Sequence, residues 1–567
     1  MKKIFKYILM GAVIVGASSC KKYLDINENP NNPTTSTPDL VLPQAIVGAG
    51  AMVNTYNINL ADQGGQRANA GGFGGFGDVV TYQYVNDTFQ SLWNTAYGNA
   101  KDFEYVINQT ASQPEMANYS AIAKIMKAFD FSKLVDQFND VPYTEAFKGA
   151  ELNFTPKYDK AEDVYKDLVN QLNSAVKQIN DAKAANVSVP NSINKVIASS
   201  DPMFQGDMNK WIIFANTLKL KLLVKMAGVP ALQSFTTPEF AKMSTNTADY
   251  VSDDVVVNPG YSINEGKRNP TYNSLAYLAD GTRPNTSRIA TYWMLSFYGT
   301  TDDGAGKLND PFRGRAIFQG ATVDVANTSI LTGVASNQLG DEGDGNDAAP
   351  GNASAWYSGG TSSNEDAIGV AKSASQGQPI MIAAESKFLQ AEAALKNYLS
   401  IGGGDAALFN AGITASFTYL YKNGKGSIDA SKNFLWRLAD GKPDQTRSVK
   451  DDVTKYLELN TDKHLVNYTL AVTPADKLEA IITQKYIALN MISNDEALSE
   501  FRRTTFPKIV EGSLSPSATF ASRQSTSPRK DKLTTRALYP QSEFNLNPSN
   551  VPQGISQFTS LIFWDLN

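Results

Sequence analysis

The 567-residue chain contains one histidine, His464, and one cysteine, Cys20. This excludes a His-rich zinc site, a Cys/His dyad, a Ser-His-Asp triad away from His464 and any disulfide within the chain, and with them most common catalytic machinery. Charge is also sparse. Asp, Glu, Lys and Arg make up 19% of residues against 42% hydrophobic ones, which excludes both an acidic disordered chain and a polytopic membrane protein. The formal charge of −5 becomes −8 when Lys2, Lys3 and Lys6 are removed with residues 1–19, the wrong sign for neutralising phosphates, so nucleic acid is not expected as a partner. Against these absences stand 25 Tyr, 27 Phe and 6 Trp, which suit a large core and a protein that works by stacking equally well. The length allows roughly two to four compact units or one large one.

The opening MKKIFKYILMGAVIVGASSC has a basic start, an apolar run from Ile8 to Ala17 and small residues up to Cys20, the layout of a secretory signal. The apolar run is too short to span a bilayer. Ala17, Ser18 and Ser19 directly before the single cysteine resemble a bacterial lipobox, in which Cys20 is acylated and becomes the first mature residue. An ordinary signal peptide would leave a lone thiol in an exported protein without a reason. Residues 1–19 therefore read as signal peptide. Residues 20–40, rich in Asn, Pro and Thr, read as a lipidated tether that holds the body off a membrane it does not cross.

Residues 41–567 read as a single, mainly helical domain. Val164, Leu168, Leu172, Ala175 and Ile179 fall at helical spacing behind Asp159 as N-cap, with Glu162 three residues later. Trp211, Ala215, Leu218 and Leu222 form a second stripe closed by Gly228 and Pro230, and Ala384, Phe388, Ala391 and Leu395 a third. Leu478, Ile482, Tyr486 and Leu489 form a fourth, opened by Thr473 as cap and Pro474 at its first position. Helical stretches are also expected near 88–108, 120–137 and 407–423. The Ala-rich pairs around 120–180 and 380–423 are compatible with degenerate tetratricopeptide repeats, although no strict 34-residue period is visible.

Two irregular insertions interrupt this pattern. Residues 64–84 mix glycine with Phe73, Phe76, Tyr82 and Tyr84, and residues 299–360 carry 12 glycines and the acidic run DEGDGND before Trp356 and Tyr357. Aromatic residues in long loops favour binding over disorder.

The lipobox and tether, followed by FSKLVDQFNDVPYTEAFKG, YDKAEDVYKDLVNQL, DPMFQGDMNKWIIFANTLKLKLLVKMAG, AAESKFLQAEAAL, IITQKYIALNMISNDEALSEFRRTTFP and RALYPQSEFNLNPSNV, resemble the SusD/RagB family of nutrient-binding outer-membrane lipoproteins. The blocks run in the family's order from Cys20 to Trp564. The chain departs from the pattern at Ala497 with Leu498, where a Trp is frequent, and at Thr504 with Thr505, where Thr-Gly is usual. The resemblance implies a helical fold of four tetratricopeptide-like units wrapped by irregular loops. It also implies a lid-like role on a TonB-dependent transporter of the SusC type, with capture of oligosaccharides, or in a minority of members peptides, without cleavage. It transfers no ligand-contacting residue.

Sugar rings stack their C–H faces on aromatics and bond their hydroxyls to polar rim groups. The expected ligand-binding residues are accordingly Trp356, Tyr357, Asn352, Arg67, Phe73, Phe76 and Tyr82, with Gln66, Asn69 and Asn364 as further rim candidates. Trp356, in its glycine-rich setting, is expected to present an exposed ring, whereas Trp93, Trp211 and Trp293 read as core. Glu385 and Glu392 could be read as the carboxylate pair of a surface glycosidase, but seven helical residues separate them by about 10 Å and glutamate is an ordinary helix former. Asp341, Asp344 and Asp347 lack the glycine and terminal glutamate of an EF-hand loop and read as a solvated patch. His464 has no nucleophile pattern nearby. No catalytic residue, metal or cofactor is expected.

Overall fold

The computed structural model describes residues 36–71, 73–186, 196–284, 286–299, 306–318, 322–323, 331–332, 334–341, 356, 365, 367–428, 448–513 and 515–567. The signal segment, Cys20 and most of the tether lie outside these residues. So do Tyr357, Asn352, Asn364, Asp344 and Asp347.

The first helix, α1 (Pro38–Leu60), starts inside the expected tether, with Pro38 at a position where its missing N–H costs nothing. Leu42, Ile46, Ala49, Val53, Tyr56 and Leu60 step along it by three and four residues and are all buried. Next come α2 (Gln90–Thr110), α3 (Ala117–Phe138), α4 (Ala161–Asn186) and α5 (Met208–Ala227). Later in the chain lie α6 (Ala383–Leu395), α7 (Gly404–Tyr421), α8 (Val449–Leu459), α9 (Pro474–Ala488) and α10 (Asn494–Thr504). Helices α1 to α5 pack serially, each on the next, while α6 packs against α7, α9 and α5, and α10 returns to α1. The architecture is mainly helical, in tetratricopeptide-like pairs wrapped by irregular loops.

The caps explain several boundaries. Thr473 and Asp476 form a capping box at α9, and Ser448 and Asp451 another at α8. Asp207 caps α5 by accepting from the N–H groups of Asn209 and Lys210. The expected cap of α4 is different. Asp159 turns away and accepts from the N–H groups of Tyr143 and Thr144, both at 2.9 Å, while the first N–H of α4, that of Ala161, donates to Asp140 at 3.0 Å. The helix start is thus held by a carboxylate 21 residues upstream, which a local pattern cannot reveal.

Strands are few and short. β1 (Arg67–Asn69) pairs antiparallel with β3 (Arg288–Thr291), which pairs parallel with β6 (Ser336–Asn337). β2 (Val255–Val257) pairs with β7 (Gln378–Met381), and β4 (Thr322–Val323) with β5 (Leu331–Thr332).

The helices are joined at their centre by charge as well as by apolar packing. Lys221 lies 2.9 Å from Glu385 and 2.8 Å from Glu496, and Lys225 lies 2.6 Å from Asp136 and 3.0 Å from Glu496. Lys485 reaches Glu496 at 3.2 Å and Glu500 at 2.9 Å. Trp564 closes the cluster by donating its indole N–H to Asp136 at 2.9 Å. All these side chains are buried. Burial alone would raise the pKa of Glu496, but Lys221, Lys225 and Lys485 overcome it and hold the carboxyl well below its ordinary value. Trp211, Trp293 and Trp93 are core residues, at 0%, 1% and 5% exposure.

Candidate ligand-binding site

The loop that follows β1 is a glycine strap carrying two phenylalanines. Gly75 and Gly77 take φ of +85° and +41°, a backbone that side chains with a Cβ avoid, and added Cβ atoms there would meet open space. The strap can therefore run clear of the body, leaving Phe73 and Phe76 half-buried. Phe73 rests on Ala70 and Ile289. Phe76 lies under Arg288, whose guanidinium carbon is 4.2 Å from the ring centroid.

Arg288 is fixed from behind. Its Nε is 2.9 Å from Asp62 Oδ2, and the other carboxylate oxygen is taken by Arg67 Nε at 2.9 Å. Arg67 also donates to the Ile58 carbonyl at 2.7 Å, and burial lowers its pKa against the pull of Asp62. Below the strap, Asn69 ties the three-stranded sheet to the chain after β6: its side chain donates to the Asp341 carbonyl at 2.6 Å and accepts from the Gly340 N–H at 2.8 Å. The Asp341 carboxylate, partly exposed, meets Arg523 Nε at 2.7 Å. The half-buried rings of the strap, with Arg288 over Phe76, offer an apolar face beside a charged hydrogen-bonding group.

The expected residues divide accordingly. Phe73 and Phe76 both lie half-buried on the strap, Phe73 against Ala70 and Ile289 and Phe76 under Arg288. Arg67 and Asn69 support it from below rather than line it, at 6% and 5% exposure, and Gln66 is fully buried. Tyr82 is buried too: its hydroxyl accepts from the Ser522 N–H at 3.2 Å, its ring meets Tyr84 edge-on, and burial raises its pKa well above the ordinary phenol value. Trp356 corrects the expectation of an exposed ring, since its side chain has 0% exposure. A single backbone bridge pairs it with Phe318, whose ring packs edge-on against Tyr298. Small, polar neighbours in sequence gave no sign of this, because the apolar partners come from distant segments. Arg288, Asp62 and Arg523 carry no local motif that would have singled them out.

The helical carboxylates are fully engaged. Glu385 pairs with Lys221, and Glu392 is held by Arg503 through both oxygens at 2.7 Å each. Asp341 is engaged by Arg523, as described above. His464 is part-exposed, 3.5 Å from Glu479. No described helix is long and apolar enough to cross a membrane.

The SusD-like family described as "starch-binding associating with outer membrane" matches residues 30–540. Among solved structures, a chitin-binding SusD homolog from Flavobacterium johnsoniae shares 19% identity and a TM-score of 0.64, with 93% of this chain and 99% of that chain covered. A SusD homolog from Bacteroides uniformis shares 20% identity and a TM-score of 0.62 over 93% and 99% of the two chains. One from Bacteroides vulgatus shares 20% and 0.64 over 90% and 92%. No curated protein sequence matches the chain significantly. At these identities the solved structures speak for the fold alone, and the match over most of the length settles the affiliation: the chain belongs to the SusD-like family.

Proposed function

We propose that the protein is a cell-surface lipoprotein, anchored to the outer membrane through acylated Cys20, that captures oligosaccharides without cleaving them and passes them to a TonB-dependent transporter of the SusC type. The observation that carries this reading is the platform of the glycine strap, half-buried Phe73 and Phe76 with the charged Arg288 on the ring of Phe76. A sugar ring would lie on the phenylalanines, and its hydroxyls would meet the charged group. The family description names starch, and two solved relatives are described as chitin-binding, which supports a glycan over a peptide. The non-enzymatic part of the reading is supported by the fate of Glu385 and Glu392. A general acid must be free to reach a substrate, and both of these carboxylates are buried and tied to a lysine or arginine on another helix.

The test is calorimetric titration of the purified protein with starch- and chitin-derived oligosaccharides and with oligopeptides, alongside an assay for new reducing ends. Glycan binding without new ends is expected. Peptide binding alone would assign the chain to the peptide-capturing members, and new reducing ends would make it a glycosidase. Recovery of a much larger barrel protein with this one from detergent-solubilised native membranes is expected of the transporter partnership, and its isolation alone would count against that part.

A further inference from the structure

Arg502 precedes the arginine that grips Glu392, yet it is wired differently. It is 6% exposed, its side-chain hydrogen bond runs from Nη1 to Gln137 Oε1 at 3.0 Å, and its buried Nε has no partner among the described residues. No carboxylate among the described residues forms an ion pair with it. A buried guanidinium is ordinarily matched by an anion, because the desolvated charge is costly alone. Burial lowers its pKa to about 10 against the pull of Tyr84 and Asp565, and the charges of Arg536 and Arg529 add to the lowering.

The same side chain lines a cavity of about 190 Å³, together with Arg529 and the exposed Lys508. Three acids also line it; Asp565 acts on Arg502 from a distance, and none of the three forms an ion pair with it. Asp531 is held by Arg529 Nη2 at 2.9 Å and Nε at 3.1 Å. Asp565 accepts from the Asn567 N–H at 3.1 Å, and burial raises its pKa. Glu511 is exposed to solvent. The cavity has room for a handful of heavy atoms, too few for an oligosaccharide and enough for one trigonal or tetrahedral anion.

We propose that this cavity binds a small oxyanion, the carboxylate of an acidic sugar or inorganic phosphate or sulfate, received by the fork of Arg502 with Arg529 and Lys508 as flanking cations. The site involves none of the platform residues and does not depend on the glycan reading.

Calorimetric titration of the purified full chain at fixed ionic strength with glucuronate, inorganic phosphate and sulfate, with glucose as neutral control, tests it. Saturable binding of at least one oxyanion and none of glucose is expected, with Arg502→Gln weakening it at least about tenfold. Lys508→Gln, at an exposed position, is expected to weaken it several-fold and carries the test should Arg502→Gln fail to fold. Binding of glucuronate alone identifies a sugar acid, and binding of phosphate or sulfate alone an inorganic ion. No saturable binding of any of the three, or binding unaltered by the substitutions, overturns the proposal. Neutral oligosaccharide affinity is expected to be unchanged in both variants, so failure here and failure of the platform are separable.

Discussion

Arg503 holds both carboxylate oxygens of Glu392, Nη1 on Oε1 and Nη2 on Oε2, each at 2.7 Å, and also meets Glu500 on its own helix. This fork fastens α10 to α6, and all three side chains are largely buried. Removing one partner leaves a buried charge unpaired, so Arg503→Ala and Glu392→Ala are each expected to destabilise by about 3–5 kcal/mol. Arg503→Lys is expected to recover only part of the loss, since an ammonium cannot grip two oxygens in a plane. Chemical denaturation of the three variants measures this.

The lysines around Glu496 give the fold an acid sensitivity with a definite sign. The folded-state pKa of Glu496 is depressed, so its contribution is present above the ordinary glutamate value of 4.5 and is lost as pH falls through the depressed value. The stability difference between the parent and Glu496→Gln is therefore expected to be full near about pH 7 and to shrink steadily towards about pH 3. Thermal melts of both proteins across that range check it, and a constant difference would show that the charge of Glu496 contributes nothing.

Thr505 occupies the position after α10 with φ of +63°, where the resembling family usually has glycine. A β-branched side chain is strained in that backbone region. Thr505→Gly is expected to stabilise the protein by about 1 kcal/mol, read as a higher melting temperature. Ala497 and Leu498, the other departure from the family pattern, are buried in the core at 1% and 3% exposure.

Trp356→Ala is expected to cost about 3–5 kcal/mol through the space it leaves. Its indole N–H is buried without a partner among the described residues, so Trp356→Phe is expected to be much milder. Denaturation of the two variants separates volume from polarity at this site.

Where apolar spacing and caps agree, the helices were legible: α9 begins at Thr473 and Pro474 as its capping pattern requires, the stripes of α4 and α5 are buried as their spacing predicts, and that of α6 is buried up to Leu395, which is half-buried. Helix α1 was not, because Pro43 and the Asn- and Pro-rich flank masked a regular apolar stripe. The proposed binding region was half legible. Gly75, Phe76 and their neighbours mark a strap by composition, but the partners that shape it, Arg288 at 212 positions beyond Phe76 and Asp62 behind both arginines, are brought in by β1–β3 pairing that three- and four-residue strands do not announce. The buried ion pairs were illegible for the same reason: Lys221 and Glu385 look like surface residues until helices far apart in sequence are packed together.

Membrane attachment has its own test. Cys20→Ala is expected to release a folded protein from the membrane fraction when the transporter partner is absent, because acylation of the single cysteine is the only anchor proposed. Retention of the variant in membranes would end the lipid-anchor reading.

The central claim is that a glycan stacks on the strap, and the most direct measurement is the affinity of Phe76→Ala for whichever starch- or chitin-derived oligosaccharide the parent binds. Loss of one stacked ring is expected to cost about 0.5–1.5 kcal/mol, a weakening of roughly two- to twelvefold. The melting temperature should stay near the parent's, since the ring is half-buried and its contact with Arg288 contributes on the order of 1 kcal/mol or less. Weaker glycan binding by an equally stable protein is the predicted result. Glycan binding as tight as the parent's, or a parent that binds no oligosaccharide, would contradict the account.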